Sequence, residues 1–381
     1  MTTKNLFHLV LIATTILPFS KTFSQDKSEF KPSGKLWGVA FGDYYFKQHA
    51  DSASRGNVQY SGMSANSNSF EFRRIYLGYD YNISEKFSTE LLVAYEGQTE
   101  PSGSRTVFLK AANVKWKNIF PKNDLILGLQ STPTFALLTD KVWEYRSVEK
   151  SLTDMRGVSK SVDAGIGVQG RLDSLGNFGY NLLAGNGNGS KPENDKFKKF
   201  YGDVYTKFLN KKIIVDLYSD YERTQLSPYD KNKTTFKLFV CYQTEKFATG
   251  IELFQQFHAN YALYFIDSTY LSAAISDIGV SGISIFVRGA IIKDKFCFFI
   301  RGDIYDPDVY FNKDYVYQGD YSAYNTEMFS VLGLDYTPVK NVHIMPNVWY
   351  SSYQSRKKNA SGLEKSDYDL VPRITIHYLF K

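Results

Sequence analysis

The stretch "VDAGIGVQG", Val162–Gly170, spaces Gly165, Gly167 and Gly170 as G-x-G-x-x-G. In a dinucleotide-binding protein such glycines close a strand and open a helix whose N-terminus faces a pyrophosphate. Here they sit inside an alternation, with Val162, Ala164, Ile166 and Val168 on one side and Asp163, Gly165, Gly167 and Gln169 on the other. A turn, "RLDSLGN", follows, and then a second alternating run, "FGYNLLAG". No helix opens where a phosphate would need one. The stretch reads as one strand of a wall, with small residues on the inward face that leave room for something folded against it.

Alternation of this kind fills the chain. Sixteen segments of roughly 10–14 residues, from "KLWGVAFGDYYFKQ" to "YDLVPRITIHYLF", have the length a tilted membrane-spanning strand requires. Short connections rich in turn residues ("NISE", "NIFPKN", "DSLG", "LNK", "TE", "IKD", "TPVK") alternate with long polar ones at residues 49–68, 98–104, 131–160, 186–196, 223–233, 259–278, 306–325 and 353–367. A soluble sandwich has no reason to keep that order, whereas an outer-membrane barrel has short periplasmic turns and longer external loops. The expectation is an all-β protein, a 16-stranded antiparallel transmembrane β-barrel with both ends on the short-turn side.

The two faces agree with this reading. In the last segment Ile374, Ile376, Tyr378 and Phe380 suit hydrocarbon, and Arg373, Thr375 and His377 suit a wet lumen. In "KFCFFIRGDIY" Ile300 and Ile304 point out while Arg301 and Asp303 point in; in "GISIFVRGA" Ile283 and Ile285 point out while Arg288 points in. In "FEFRRIYLGYDY" the same count puts Ile75, Leu77 and Tyr79 outward and Arg74 inward, leaving Arg73 on the lipid face, where its stem would reach to the headgroups. A charge on the lipid face at mid-depth costs about 2–4 kcal/mol, so the alternation carries information. The run "TVFLKAANVKW" fits neither parity.

Composition points the same way. With 29 Tyr and 29 Phe, aromatics reach 16% of the chain, and aromatic residues crowd the two rims of a membrane barrel. Residues 1–24, with Lys4, the apolar run "LFHLVLIATTILPF" and small Thr22 and Ser24, have the order of a secretory signal peptide, leaving 25–381 as the barrel and implying export to an outer membrane. About ten residues then precede the first strand, too few for a plug domain. The net charge of +6 is too mild and evenly spread for nucleic acid. Cys241 and Cys297 lie inside alternating runs and form no disulfide framework.

No chemistry of catalysis emerges. The five histidines show no paired metal spacing, and no nucleophile can be assigned beside His343 and His377. The reading is therefore no enzyme, no cofactor and no metal. Asp303, Asp306 and Asp308 in "DIYDPD" have the look of oxygen ligands, but the proline and adjoining loop read as a strand-end turn.

The stretches "FEFRRIYLGYDY" (Phe70–Tyr81), "LGLQSTPTF" (Leu127–Phe135), Tyr145–Gly170, "RGDIYDPD" (Arg301–Asp308) and "GLDYTPVKNVHIMPNVWY" (Gly333–Tyr350) resemble porins of the phosphate-selective porin O/P type, or of its sister family with that fold. The resemblance implies homotrimers in outer-membrane lipid, passive passage of small solutes or anions, and a third external loop folded inward to narrow the pore. Here that loop is residues 131–160, the longest, and the family's substrate arginines carry over to Arg146 and Arg156. With the inward candidates Arg74, Arg288, Arg301 and Arg373 they make a positive track. Against it stand Glu90, Asp163, Asp216, Glu252 and Asp303 on the same face, and a loop that mixes Lys141, Arg146, Lys150, Arg156 and Lys160 with Asp140, Glu144, Glu149 and Asp154. This departs from a phosphate-selective ladder and implies at most a weak anion preference. The family's C-terminal aromatic, read by the β-barrel assembly machinery, corresponds to Phe380, one residue before the end. The alternative to a diffusion channel is a plugged structural or receptor barrel without open-channel activity.

Overall fold

A computed structural model describes residues 30–380 except 57, 98–102, 227, 266–272, 319–322 and 357–365. The segment 1–24, read above as a signal peptide, lies outside the described residues. The strands are β1 (Ser33–Phe46), β2 (Asn68–Asn82), β3 (Phe87–Tyr95), β4 (Phe108–Phe120), β5 (Asn123–Ser131), β6 (Val162–Arg171), β7 (Phe178–Gly185), β8 (Lys199–Phe208) and β9 (Ile213–Gln225). They continue as β10 (Lys231–Gln243), β11 (Phe247–Phe265), β12 (Ala273–Ile292), β13 (Phe296–Asp306), β14 (Val316–Gln318), β15 (Asn325–Val339), β16 (Val342–Ser355) and β17 (Asp367–Phe380). Strand β14 is a three-residue piece of the loop after β13 that pairs with the end of β11. The other sixteen form one antiparallel wall, closed where Gly38 to Tyr45 of β1 pair with Phe380 to Arg373 of β17. Closure leaves no strand edge facing lipid, which has no hydrogen bonds to offer an edge.

The period-2 pattern decides which way each strand faces. On β17 Ile374, Ile376, Tyr378 and Phe380 are exposed, whereas Arg373 and Thr375 between them are buried. On β13 Ile300 and Ile304 are exposed and Arg301 and Asp303 buried, as the alternation requires. Five of the seven short connections close on residues with a left-handed backbone, among them Lys122, Asn210, Asp294 and Asn341, with φ of 65°, 56°, 58° and 71°. Both ends of the wall lie on that side: Ser33 pairs with Asn82, and Leu379 N–H donates to Asn341.

Three expectations need correction. Arg73 does not face lipid. Phe41 pairs with Arg74 and the next residue, Gly42, with Phe72, so Arg73 is the extra residue of a β-bulge and points inward beside Arg74. A second bulge explains the run that fitted neither parity: Leu92 pairs with Ala111 and Val93 with Leu109, which turns Lys110 inward as well. The segment 259–278 is not one long loop, because β11 and β12 run on to Phe265 and from Ala273, and their register shifts between His258 and Ala262.

The glycines of β6 also serve a purpose other than the one expected. A Cβ on Gly165 would lie 2.1 Å from the Ala184 carbonyl oxygen of β7, so this glycine lets two strands approach closely. A Cβ on Gly167 would lie 2.3 Å from Gln130 Oε1; the room it leaves is filled by a side chain of the neighbouring strand β5. Neither leaves room for the loop.

Candidate functional site

Between β5 and β6 the chain makes its longest connection, residues 132–161, carrying two short helical turns, α1 (Thr139–Trp143) and α2 (Leu152–Met155). Its apolar residues Val142, Trp143, Tyr145, Val148 and Met155 are buried in one cluster with inward side chains of the wall: Phe239 of β10, Phe286 of β12, Phe299 of β13, Phe329 of β15 and Trp349 of β16. Tyr145 lies 4.4 Å from Phe299 and Trp143 5.2 Å from Phe286, ring centre to ring centre. Burial on this scale anchors the segment in a way polar contacts in an aqueous lumen would not.

Polar contacts then fix its register. Arg73 donates to the Ser147 carbonyl and to Val148 O at 3.3 Å, and Arg373 donates to Val148 O at 2.6 Å. Arg301 donates to Lys150 O, and Arg288 Nε to Val142 O at 2.8 Å. Glu252 of β11 accepts from Leu152 N–H at 3.2 Å and Thr153 Oγ1 at 2.5 Å, Trp349 Nε1 donates to Glu149 Oε2 at 3.1 Å, and Lys237 Nζ donates to Thr139 Oγ1 at 3.0 Å. All these partners lie on β2, β10–β13, β16 and β17. The inward side chains of β7 and β8 make no such bond to residues 139–156 among the described residues.

The six arginines expected to line a pore are therefore all engaged. Arg74 meets Tyr76 at 3.0 Å and Glu96 at 3.4 Å. Arg146 bridges Asp140 at 2.8 Å and Asp154. Arg156 pairs with Glu327 at 2.5 Å over the ring of Tyr305. Arg288 pairs with Glu144 at 2.9 Å and Arg301 with Asp303 at 2.5 Å. Arg373 donates to Tyr60 at 2.9 Å and Asn347 at 2.5 Å. Four of the six, Arg74, Arg156, Arg301 and Arg373, have side chains less than a tenth exposed.

Two bulges on neighbouring hairpins, at Arg73 and Lys110, gather more cations than alternation allows. Lys110 reaches Glu96 at 2.5 Å, the carboxylate that Arg74 also meets. Burial opposes ionisation of Glu96, but Arg74 and Lys110 outweigh it and hold the carboxyl down at about 2. Next to this cluster lies a cavity of about 900 Å³ lined by Tyr45, Tyr60 and Tyr95 together with Arg73, Arg74, Arg105, Arg146 and Lys150 and with Glu71, Glu96 and Glu149. On the short-turn side a second cavity, of about 640 Å³, is lined by Glu144, Tyr145, Arg288, Asp335 and His343 with turn lysines 246, 293 and 340. Residues 144–150 contribute to both, so this piece of the loop stands between two vestibules.

The chain's other candidates have structural partners. Asp308 accepts from Gly279 N–H at 3.1 Å and Tyr310 N–H at 2.9 Å, and Asp306 from Asp308 N–H at 2.9 Å, so "DIYDPD" forms a turn that ties the β13 end to β12. His343 faces Asp335 at 3.0 Å and the Thr337 hydroxyl at 3.3 Å, and stacks on His377 at 5.4 Å, ring centre to ring centre. No cluster of three or more metal-binding side chains occurs among the described residues.

No protein-family model matches the sequence, and no curated protein does either. Solved structures do. The outer-membrane channel DcaP of Acinetobacter baumannii aligns at a TM-score of 0.65 with 12% identity, over 93% of this chain and 100% of that one. The anion-selective porin from Comamonas acidovorans aligns at 0.57 with 11% identity, over 92% and 100%. OmpF of Salmonella typhi in complex with daunomycin aligns at 0.58 with 11% identity, over 91% and 97%. At these identities the likeness is one of architecture: this wall of sixteen strands is built as the wall of an outer-membrane porin.

Proposed function

We propose that the protein is an outer-membrane porin through which small hydrophilic solutes and ions diffuse, with a weak preference for anions. The observation that carries this reading is the uneven attachment of residues 132–161, which bond mainly to β10–β17, with further bonds to Arg73 of β2, Lys110 of β4 and Tyr218 of β9. On this reading the loop leaves solutes a path around its residues 144–150, between the cavity of about 900 Å³ on the long-loop side and that of about 640 Å³ on the short-turn side. Such a loop narrows a barrel without closing it. The barrel family with the phosphate-selective porin O/P type remains the sequence-level kinship we favour, and we expect a homotrimer inserted by the assembly machinery through the strand ending at Phe380.

Purified protein in planar bilayers should give stepwise conductance that rises with salt, with a reversal potential on the anion side in a KCl gradient. Absence of steps from folded, inserted protein would overturn the reading. A plugged structural barrel is the second reading, favoured by the apolar cluster around Trp143 and Trp349, unusual inside a pore; the same experiment decides between them.

A further inference from the structure

Every arginine expected to select ions is spent on the loop's carbonyls or on a carboxylate, and this directs attention to the cations that are not. Among the described residues Lys141 and Lys150 on the loop and Lys207 on β8 have no hydrogen bond or ion pair from their side chains. Lys150 lines the outer vestibule beside Arg74 and Arg146. Lys141 is exposed on α1, and its charge reaches Lys207, which stands inward over the ring of Tyr205 at 5.0 Å. The carboxylates of the same wall are withdrawn. Asp163 is 0% exposed beneath Gly187 N–H at 2.7 Å and Tyr201 OH at 2.8 Å, and Asp203 is 2% exposed beneath Asn181 Nδ2 at 2.7 Å.

We propose that the anion preference of this pore resides in Lys141, Lys150 and Lys207, which hand a small anion from the outer vestibule past the loop, while Arg146, Arg156, Arg288, Arg301 and Arg373 position the loop and Arg74 holds Glu96. The proposal rests on the channel reading above and deepens it. A passing anion gains most from ammonium groups that can turn toward it and are not neutralised at contact distance. The arginines, held in bonds to protein oxygen, have no such freedom. Lysine and arginine also differ in titration: arginine stays charged at any workable pH, lysine does not. Burial pushes the Lys150 ammonium below the ordinary lysine range, Arg74 and Arg146 add to that, and Asp154 and Glu149 pull against it.

The test is the reversal potential of the full protein in planar bilayers under a KCl gradient, for wild type and for a triple variant Lys141→Gln, Lys150→Gln, Lys207→Gln. The preference should fall to parity or reverse in the triple variant. In wild type it should decline as pH rises from 7 to 10.5, and in the matched triple Lys→Arg variant it should persist across that range. None of the three side chains makes a hydrogen bond or ion pair within the fold, so the folded-band shift on unheated gels should match wild type in both variants. An unchanged reversal potential in the glutamine variant, with a pH-independent wild type, overturns the lysine assignment and leaves the channel intact. A wild type that passes no current removes the channel itself, and the assignment with it.

Discussion

The two halves of the lumen are built from the same alternation and do opposite things. On β10–β17 the inward positions hold Phe239, Phe286, Phe299, Phe329 and Trp349, interleaved with Arg301 and Arg373, and this half grips the loop. On β3–β8 the inward positions hold Glu90, Asn113, Gln130, Asn181 and Asp203, whose side chains bond to neighbours on the wall itself. A strand pattern that says only "apolar out, other in" does not distinguish a face that grips the loop from one whose polar groups pair along the wall. The identity of the inward residue does: a ring demands cover, an amide satisfies itself against the next strand.

Substitutions on the two halves should therefore differ in kind. The largest effect is expected from Trp349→Ala. Its ring packs on Tyr60 and Phe329, each at 5.4 Å, and its removal should cost about 3–5 kcal/mol, lowering the urea midpoint for loss of the folded gel band. An unchanged midpoint would show that the apolar cluster holds nothing. Next comes Arg301→Gln, which deprives Asp303 and the Lys150 carbonyl of a charged donor; a loss of about 1.5–3 kcal/mol is expected, with added open-channel noise as the loop loosens. Quiet single-channel records from that variant would argue that the loop does not depend on its staples. On the other half Asn113→Ala removes donors to Glu90 and Leu129 O, each at 3.1 Å, and should cost only about 0.5–1.5 kcal/mol without added noise.

A further effect is one of acidity. Glu96 has a carboxyl at about 2 in the fold against an ordinary 4.5. A depressed pKa contributes stability that is complete above the ordinary value and disappears as pH falls through the folded one. Stability should therefore decline between pH 4.5 and 2 more steeply in wild type than in Glu96→Gln. Parallel curves would detach Glu96 from the Arg74–Lys110 cluster.

Strand number, the alternation of short and long connections and the facing of β12, β13 and β17 were legible in the sequence because each is local, set by period and turn residues. The facing of Arg73 was not, since counting by twos assumes that no residue is inserted, and a bulge in β2 breaks that count without any signal of its own. The same holds for Lys110, where the failed parity of its run was the one available hint. The roles of Arg301 and Arg373 were half legible: period gave their direction, but their partners are loop carbonyls 151 and 225 positions away in the chain. Nothing in the sequence near either arginine records that distance.

The pair of bulges has an evolutionary corollary. Adding a codon to a membrane strand would ordinarily flip every downstream residue to the wrong solvent, a change selection rejects at once. A bulge absorbs the additional residue on the spot and keeps the hydrocarbon belt in phase. Charge can therefore be inserted into the interior of such a barrel one residue at a time, and related barrels can diverge inside while their exteriors stay interchangeable.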